Sequence, residues 1–355
     1  MPSSTLMPVF DGHNDVLLRL MRGKIQPEQA FLEGDNIGHL DWPRMKQGGL
    51  IGGFFAVYVP SESVGVDVDE LMAQARYDVP LSSPLPLPTS QQVTAHMAAL
   101  LIRIERASKG EVKICRTAAD IRHCIDTGKL AAILHIEGAE GIDPDLYMLD
   151  VLYEAGLRSI GPVWSRPNIF GHGVPFRYPS TPDTGPGLTD RGIELVRACN
   201  RLKIMIDLSH LNEKGFWDVA RLSDAPLVAT HSNAWEICRH SRNLTDKQLG
   251  AIRESRGMVG VNFATSFIRP DGMRNDDTPL EEMIRHMDHL IEHVGVDGVG
   301  LGSDFDGATI PAEIGDVRGL PRLVDAMRRH GYDEATLRKL CYENWVNVLE
   351  RTWGR

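Results

Sequence analysis

Short runs of apolar and β-branched residues recur along the chain, and between them the apolar positions shift to helical spacing. The runs read as strands: MPVFDG around residue 9, LIGGFFAVYV (50–59), LAAILHIE (130–137), LRSIGPVW (157–164), KIMIDLSH (203–210), PLVATHS (226–232), GMVGVNF (257–263) and DGVGLGSDF (297–305). Between them AADIRHCIDTG, TDRGIELVRACNRL, TDKQLGAIRESRG and PLEEMIRHMDHLIEHV read as amphipathic helices. Continuous apolar strands alternating with such helices predict parallel strands buried on both faces. Eight units in 355 residues fit an α/β fold of the (β/α)8 TIM-barrel type with loop and helical insertions, spanning residues 1–355 as a single domain. A doubly wound open sheet satisfies the same strand count. The insertions are residues 60–110, with a Pro/Ser-rich piece and then a long helix through MAALLIRIERAS, and residues 165–187, which hold five prolines and four glycines.

In a barrel the C-terminal strand ends meet on one face, where active sites of this fold lie. The first strand runs into FDGHNDVLLRL, which places Asp11, His13 and Asp15 at alternating positions and, in extended backbone, on one side. The third strand ends in Glu137, the fifth in His210, the sixth in His231 and the eighth in Asp304. Each has an ordinary structural reading: Asp15 can cap a helix, Glu137 can cap the next one, and Asp207 and Asp304 can be turn residues. Taken together, imidazoles and carboxylates from five strand ends suit two divalent cations. Zinc is favoured and manganese or iron tolerated, with a carboxylate bridging the pair and one water activated between them.

Composition narrows the partners. The formal charge of −10 argues against nucleic acid. Cys115, Cys124, Cys199, Cys238 and Cys341 are scattered without a CxxC pair, as expected of buried thiols in a reducing compartment. With no signal-like start, spanning run or anchor-like tail, the expectation is a cytoplasmic chain without membrane contact.

Other signals carry less. GLGSDFDG has Phe305 where a dinucleotide fingerprint needs its third glycine. His286, His289 and His293 mimic metal spacing, but on an outer helix they read as a packing or solvated face. His135 sits one layer below Glu137, as a barrel-interior residue. There is no GxSxG elbow and no HExxH helix, and Ser209 has no nucleophile context.

DGHNDVL, HIEGAEGI, IDLSH, ATHSNAW with HSRNLTD, VNF, GLGSDFDG and the terminal ENWVNVL follow one another across nearly the whole chain, with 21 residues between His210 and His231. At these residues the sequence resembles the membrane (renal) dipeptidase family of binuclear zinc metallopeptidases. The resemblance implies that His13, Asp15 and Glu137 hold one zinc ion and that Glu137, His210 and His231 hold the second. It implies Asp304 as proton shuttle and Arg242 as the group that binds the dipeptide's C-terminal carboxylate. It also marks two departures. Trp164 stands where family members carry a histidine that polarises the scissile carbonyl, with His172 of the following loop as a substitute, and Asn347 replaces a usual arginine. Both departures bear on substrate choice.

The expectation is a zinc-dependent dipeptidase with two Zn2+ per chain, Mn2+ or Fe2+ being allowed. A zinc-bridging hydroxide would attack the amide, Asp304 would pass the proton to the leaving amine, and the loop around His172 would close as a lid. The expected partner is a small dipeptide, with a homodimer left open. A related hydrolase of another small amide or lactam, or a non-catalytic metal-binding relic, is the rival.

Overall fold

The computed structural model describes residues 6–61 and 65–354. All eight expected strands form: β1 Val9–Asn14, β2 Leu50–Tyr58, β3 Leu130–Glu137, β4 Leu157–Gly161, β5 Met205–Ile206, β6 Val228–Ala229, β7 Met258–Asn262 and β8 Val299–Gly302. They pair in parallel in the order β5-β4-β3-β2-β1-β8-β7-β6. A bridge between Asp207 and Val228 joins the two ends. The result is a nearly closed (β/α)8 barrel. A short strand, Val112–Ile114, pairs with the first half of β3 before β4 takes over the second half.

Three strands are shorter than their apolar runs, for readable reasons. β4 stops at Gly161 because Pro162 has no amide proton to continue the ladder. β5 and β6 stop because the Asp207 side chain replaces the ladder: its Oδ1 accepts from Ser209 N at 3.0 Å and Thr230 N at 2.8 Å. The expected helices form at Ala118–Thr127, Asp190–Leu202, Asp246–Glu254 and Leu280–Val294, and the long helix of the first insertion is Leu87–Ala107. Thr117 and Thr245 close capping boxes with Asp120 and Gln248, and Thr189 caps Gly192 N. Among the described residues no helix is long and apolar enough to cross a membrane.

The barrel interior is layered. Its lower half is apolar, with Phe10, Phe54, Ala131, Ile133, Met205, Val228 and Met258 around Trp345 from the C-terminal helix Asn344–Trp353. Glycines make room for that indole: a Cβ at Gly12 would lie 2.5 Å from the Trp345 ring, and one at Gly300 2.8 Å from it. Trp345 Nε1 donates to the Leu301 carbonyl at 2.9 Å. Along β3 the inward positions then run Ala131, Ile133, His135, Glu137, from the plug to the open face. Asn347 is exposed on this same C-terminal helix, which plugs the end opposite Glu137 and the open face, so its expected bearing on substrate choice does not hold. All five cysteines are buried and free.

The two insertions meet. Tyr77–Asp78 pairs antiparallel with Arg177–Tyr178, forming a small sheet. The second insertion is anchored: Arg166 is fully buried, pairs with Glu140 at 2.9 Å and donates to the Val59 carbonyl at 2.6 Å.

Candidate functional site

His13, Glu137, His210 and His231 come together at the C-terminal face, all buried. Glu137 lies between them. Its Oε2 is 3.7 Å from His13 Nε2, while its Oε1 is 2.8 Å from His210 Nε2 and 3.5 Å from His231 Nε2. Asp15 occupies the N-cap position of the helix Val16–Arg22, yet its carboxylate makes no capping bond. Instead Asp15 Oδ2 sits 3.3 Å from His13 Nε2. Asp304 completes a group with His13 and Asp15, whose ligand atoms all lie within 4.8 Å of one another.

Asp11 does not join them, contrary to the simple alternation. The β1–β2 register shifts between Asp11 and Asn14, so the side chains no longer alternate regularly. Asp11 accepts from Ser303 N at 2.7 Å and Ser303 Oγ at 2.8 Å, tying β1 to the loop after β8. His210 and Asp304 both sit at positive φ, +70° and +59°. That backbone is costly for a non-glycine residue and recurs where side-chain placement matters to function.

The histidines are set up as neutral ligands. Thr230 Oγ1 is 2.6 Å from Asp207 Oδ2 and 2.8 Å from His231 Nδ1. A carboxylate only accepts, so the hydroxyl gives it its single proton and must accept from His231 Nδ1–H. The lone pair of His231 is therefore on Nε2, facing Glu137. Ser165 Oγ holds His210 Nδ1 at 2.9 Å. This outer support is the usual setting of a metal-binding imidazole. Burial holds the pKa of both rings well below the usual histidine value, helped by the Arg242 charge.

The donor set fits a cation. Neither ring nitrogen of His13 makes an aligned hydrogen bond, although the ring is fully buried. Burial opposes charge there, yet the Glu137 and Asp15 carboxylates push its pKa up to about 10. Burial likewise raises the pKa of Glu137 and of Asp304. Carboxylates gathered in a dry site call for positive charge, and imidazoles with free lone pairs beside them suit zinc-class ions. His135 lies one layer down, its Nδ1 2.8 Å from Ser159 Oγ and its Nε2 3.6 Å from Asp207 Oδ2.

A cavity opens over this group. Its walls include Tyr58, Trp164, Phe176, Phe267, Asp304 and Arg274. Trp164 stacks at a tilt on His210, ring centroids 5.8 Å apart, and meets Tyr58 and Phe176 edge-on. His172 is not brought to this cavity. Its Nδ1 lies 3.3 Å from the Gly187 carbonyl, within its own loop. Phe176 is the residue of that loop that lines the cavity. Arg242 is buried beside His231: Nη2 donates to the His231 carbonyl at 3.1 Å, Nη1 to Ser232 Oγ at 3.4 Å, and Nε has no partner. No carboxylate among the described residues pairs with it. Asn262 Nδ2 donates to Asp304 Oδ2 at 3.0 Å.

Thr230, Ser165 and Asn262 go unmarked in the sequence, and Asp207 reads there only as a turn residue. Their one signal is position: each stands at, or just beyond, the end of a strand.

The profile of the membrane dipeptidase family (peptidase family M19) matches residues 4–353. A curated relative from Klebsiella pneumoniae, an uncharacterized protein in the pqqA 5′ region, is 52% identical over 255 residues, 72% of this chain and 94% of its own. A metallo peptidase from Rhodobacter sphaeroides, solved with a phosphinate mimic of the dipeptide L-Ala-D-Ala, superposes with a TM-score of 0.97. It is 58% identical, over 98% of this chain and all (100%) of its own. A second solved structure, dipeptidase AC of family M19, is also 58% identical, with a TM-score of 0.96 over 99% of this chain and 100% of its own. With a match from one end of the chain to the other and a metal-type donor set on the catalytic face of the barrel, this chain belongs to the membrane dipeptidase family and is a metallodipeptidase.

Proposed function

We propose that His13, Asp15, Glu137, His210 and His231 hold two zinc ions, with Glu137 shared between them, and that the substrate is a free dipeptide. The observation that carries this is the Glu137 carboxylate, which turns one oxygen toward His13 and the other toward His210 and His231. When bound, such a pair supplies a water acidic enough to act as nucleophile at neutral pH and a Lewis acid for the carbonyl oxygen. Manganese or iron would serve the same donors.

The remaining roles fall to the chain's own groups. Asp304 takes the proton of the attacking water and delivers it to the leaving amine. Asn262 holds one of its oxygens and leaves the other to do so. Arg242 takes the substrate's C-terminal carboxylate; support comes from a buried guanidinium with an unpartnered Nε and no carboxylate of its own. Tyr58, Trp164 and Phe176 line the side-chain space, with Trp164 on the wall nearest His210. The Rhodobacter protein, solved with a phosphinate mimic of L-Ala-D-Ala, makes dipeptides with a C-terminal D-residue substrates to test here. The partner is this small substrate, with no macromolecule required.

The test is elemental analysis of zinc-reconstituted protein together with hydrolysis of L-Ala-L-Ala, L-Ala-D-Ala and a blocked tetrapeptide. Two ions per chain and cleavage of dipeptides alone are expected. Saturation at one ion overturns the shared Glu137. Activity confined to other small amides moves the substrate assignment and leaves the metal site standing.

A further inference from the structure

The outer helix Leu280–Val294 carries His286, His289 and His293 on one face, since positions three, four and seven apart share a helix side. The structure separates them. His286 is fully buried: its Nδ1 accepts from Ala234 N at 3.1 Å and its Nε2 meets the Ile268 carbonyl at 2.9 Å. Higher on the same face, His289 and His293 stack with ring centroids 4.2 Å apart and planes 19° from parallel. Both turn Nε2 toward Asp246, in the first turn of the neighbouring helix Asp246–Glu254. His289 Nε2 is 2.7 Å from Oδ1 and His293 Nε2 is 3.4 Å from Oδ2.

The second of these contacts is chemically odd as it stands. His293 Nδ1 is 2.9 Å from the His289 carbonyl. A carbonyl only accepts, so Nδ1 carries the hydrogen. A neutral His293 therefore points the lone pair of Nε2 at a carboxylate oxygen, acceptor against acceptor. Something positive belongs between them. A proton on His293 alone would answer that one contact, with His289 left neutral and donating to Asp246, whereas one divalent ion would join both nitrogens and the carboxylate at once. The ligand atoms lie within 4.8 Å of one another. Around a tetrahedral zinc with bonds of about 2.0–2.1 Å, donor atoms sit about 3.3 Å apart. The two rings face different oxygens of Asp246, at 2.7 Å and 3.4 Å, so the carboxylate must turn for one oxygen to serve with both nitrogens. The side chains are 18%, 28% and 39% exposed for His289, His293 and Asp246, so an ion can enter from solvent and keep water in its remaining positions.

We infer that Asp246, His289 and His293 form a second, peripheral site for a borderline divalent transition ion such as Zn2+ or Cu2+, which staples two outer helices of the barrel. Two imidazoles and one carboxylate are the donors such ions prefer over magnesium or calcium. The site shares no residue with the catalytic face, and its occupancy is independent of the dipeptidase reading.

The full chain is saturated with Zn2+, freed of excess ion, and its metal counted by elemental analysis in wild type, His293→Ala and Asp246→Asn. Wild type should hold one ion more than either variant, whatever number the catalytic face retains. The last-filling Cu2+ equivalent should show nitrogen hyperfine coupling in its electron paramagnetic resonance spectrum, lost in His293→Ala. The melting temperature of wild type should rise by roughly 2–4 °C on filling this site, a rise absent from both variants. Equal ion counts in all three proteins, or a zinc affinity at this site weaker than about 1 mM, overturns the proposal. The two variants remove different donors from different helices, so a folding defect in one leaves the other to decide.

Discussion

Asp207 Oδ2 accepts the Thr230 hydroxyl at 2.6 Å, and this bond decides which nitrogen of His231 carries a proton. Asp207→Asn tests it. The other oxygen, Oδ1, receives Ser209 N and Thr230 N, so an asparagine must keep its oxygen there and turn its NH2 to Thr230. The hydroxyl would then reverse and donate to His231 Nδ1, moving the ring proton to Nε2, where the metal ligand should be. Zinc affinity should fall about 10–100-fold, the usual scale for losing such support. Adding Thr230→Val should recover much of that loss, because the reversed donor is gone. Calorimetric zinc titration of the three proteins checks this, and unchanged affinity in Asp207→Asn refutes the relay.

Gly307 gives Asp15 and Asp304 space. A Cβ there would lie 2.1 Å from Asp15 Oδ2 and 2.5 Å from Asp304 Oδ1. Both are ends of side chains, so the fold can yield by turning two carboxylates, at little cost in stability. Function cannot yield so cheaply. Gly307→Ala should leave the melting temperature of metal-free protein nearly unchanged and lower zinc affinity about tenfold or more. A thermal melt and a metal titration, run side by side, separate the two effects.

For Asp304 the expected outcome is a loss of turnover without a loss of metal. In Asp304→Asn the amide oxygen stays with Asn262, and an NH2 replaces the oxygen that accepts a proton. Turnover should fall roughly 10²-fold or more. Ion content measured on the same sample decides the role. A missing ion would make Asp304 a ligand, and near-normal turnover would move the proton transfer elsewhere.

His286 links stability to pH away from the catalytic face. Burial pushes its pKa down to about 4, while the unfolded ring titrates near 6.5. Between these values the unfolded chain binds a proton that the folded chain refuses. Stability is therefore full above pH 6.5 and declines as pH falls toward 4, by about 3 kcal/mol from this group. His286→Gln should be less stable than wild type at pH 7, with the gap narrowing toward pH 4.5. Urea denaturation at both pH values measures it, and a constant gap removes His286 from the acid response.

Much of this was legible in the chain because barrel strands and their ends have a sequence form. Apolar runs such as LAAILHIE carry both the strand and, at the last residue, the proposed ligand Glu137. Helix Leu280–Val294 and its neighbours were readable from spacing alone. What escaped depends on contacts between distant segments. Asp11 left the ligand group because of a register shift against β2, which no local pattern announces. His172 looked available because it lies in a Pro/Gly loop after Trp164, but that loop is pinned by Arg166, and its cavity residue is Phe176. Asn347 appeared relevant to substrate until the C-terminal helix proved to close the far end. The His289–His293 face needed Asp246 from another helix before its spacing meant anything.

In the proposed reading, substrate length turns on Arg242. Its guanidinium is buried, is held by the His231 carbonyl and Ser232, and has an unpartnered Nε. Burial lowers its pKa, opposed by the Asp304 and Glu137 charges, so a carboxylate arriving from the substrate meets a cation short of partners. A carboxylate fixed there would set the distance from chain end to scissile bond, admitting a dipeptide and excluding cleavage inside a longer chain. Arg242→Ala should therefore weaken kcat/KM for a dipeptide by about 1.5–3 kcal/mol, the range for a charged hydrogen bond. The same variant should matter much less for the dipeptide amide, which has no carboxylate to hold. Because Arg242 also supports the backbone of His231, ion content must be matched before the rates are compared. Equal losses on dipeptide and amide at matched metal would make Arg242 a support of the ligand loop and not the carboxylate site. Efficient cleavage of a blocked tetrapeptide by wild type would show that no chain end is being measured at all.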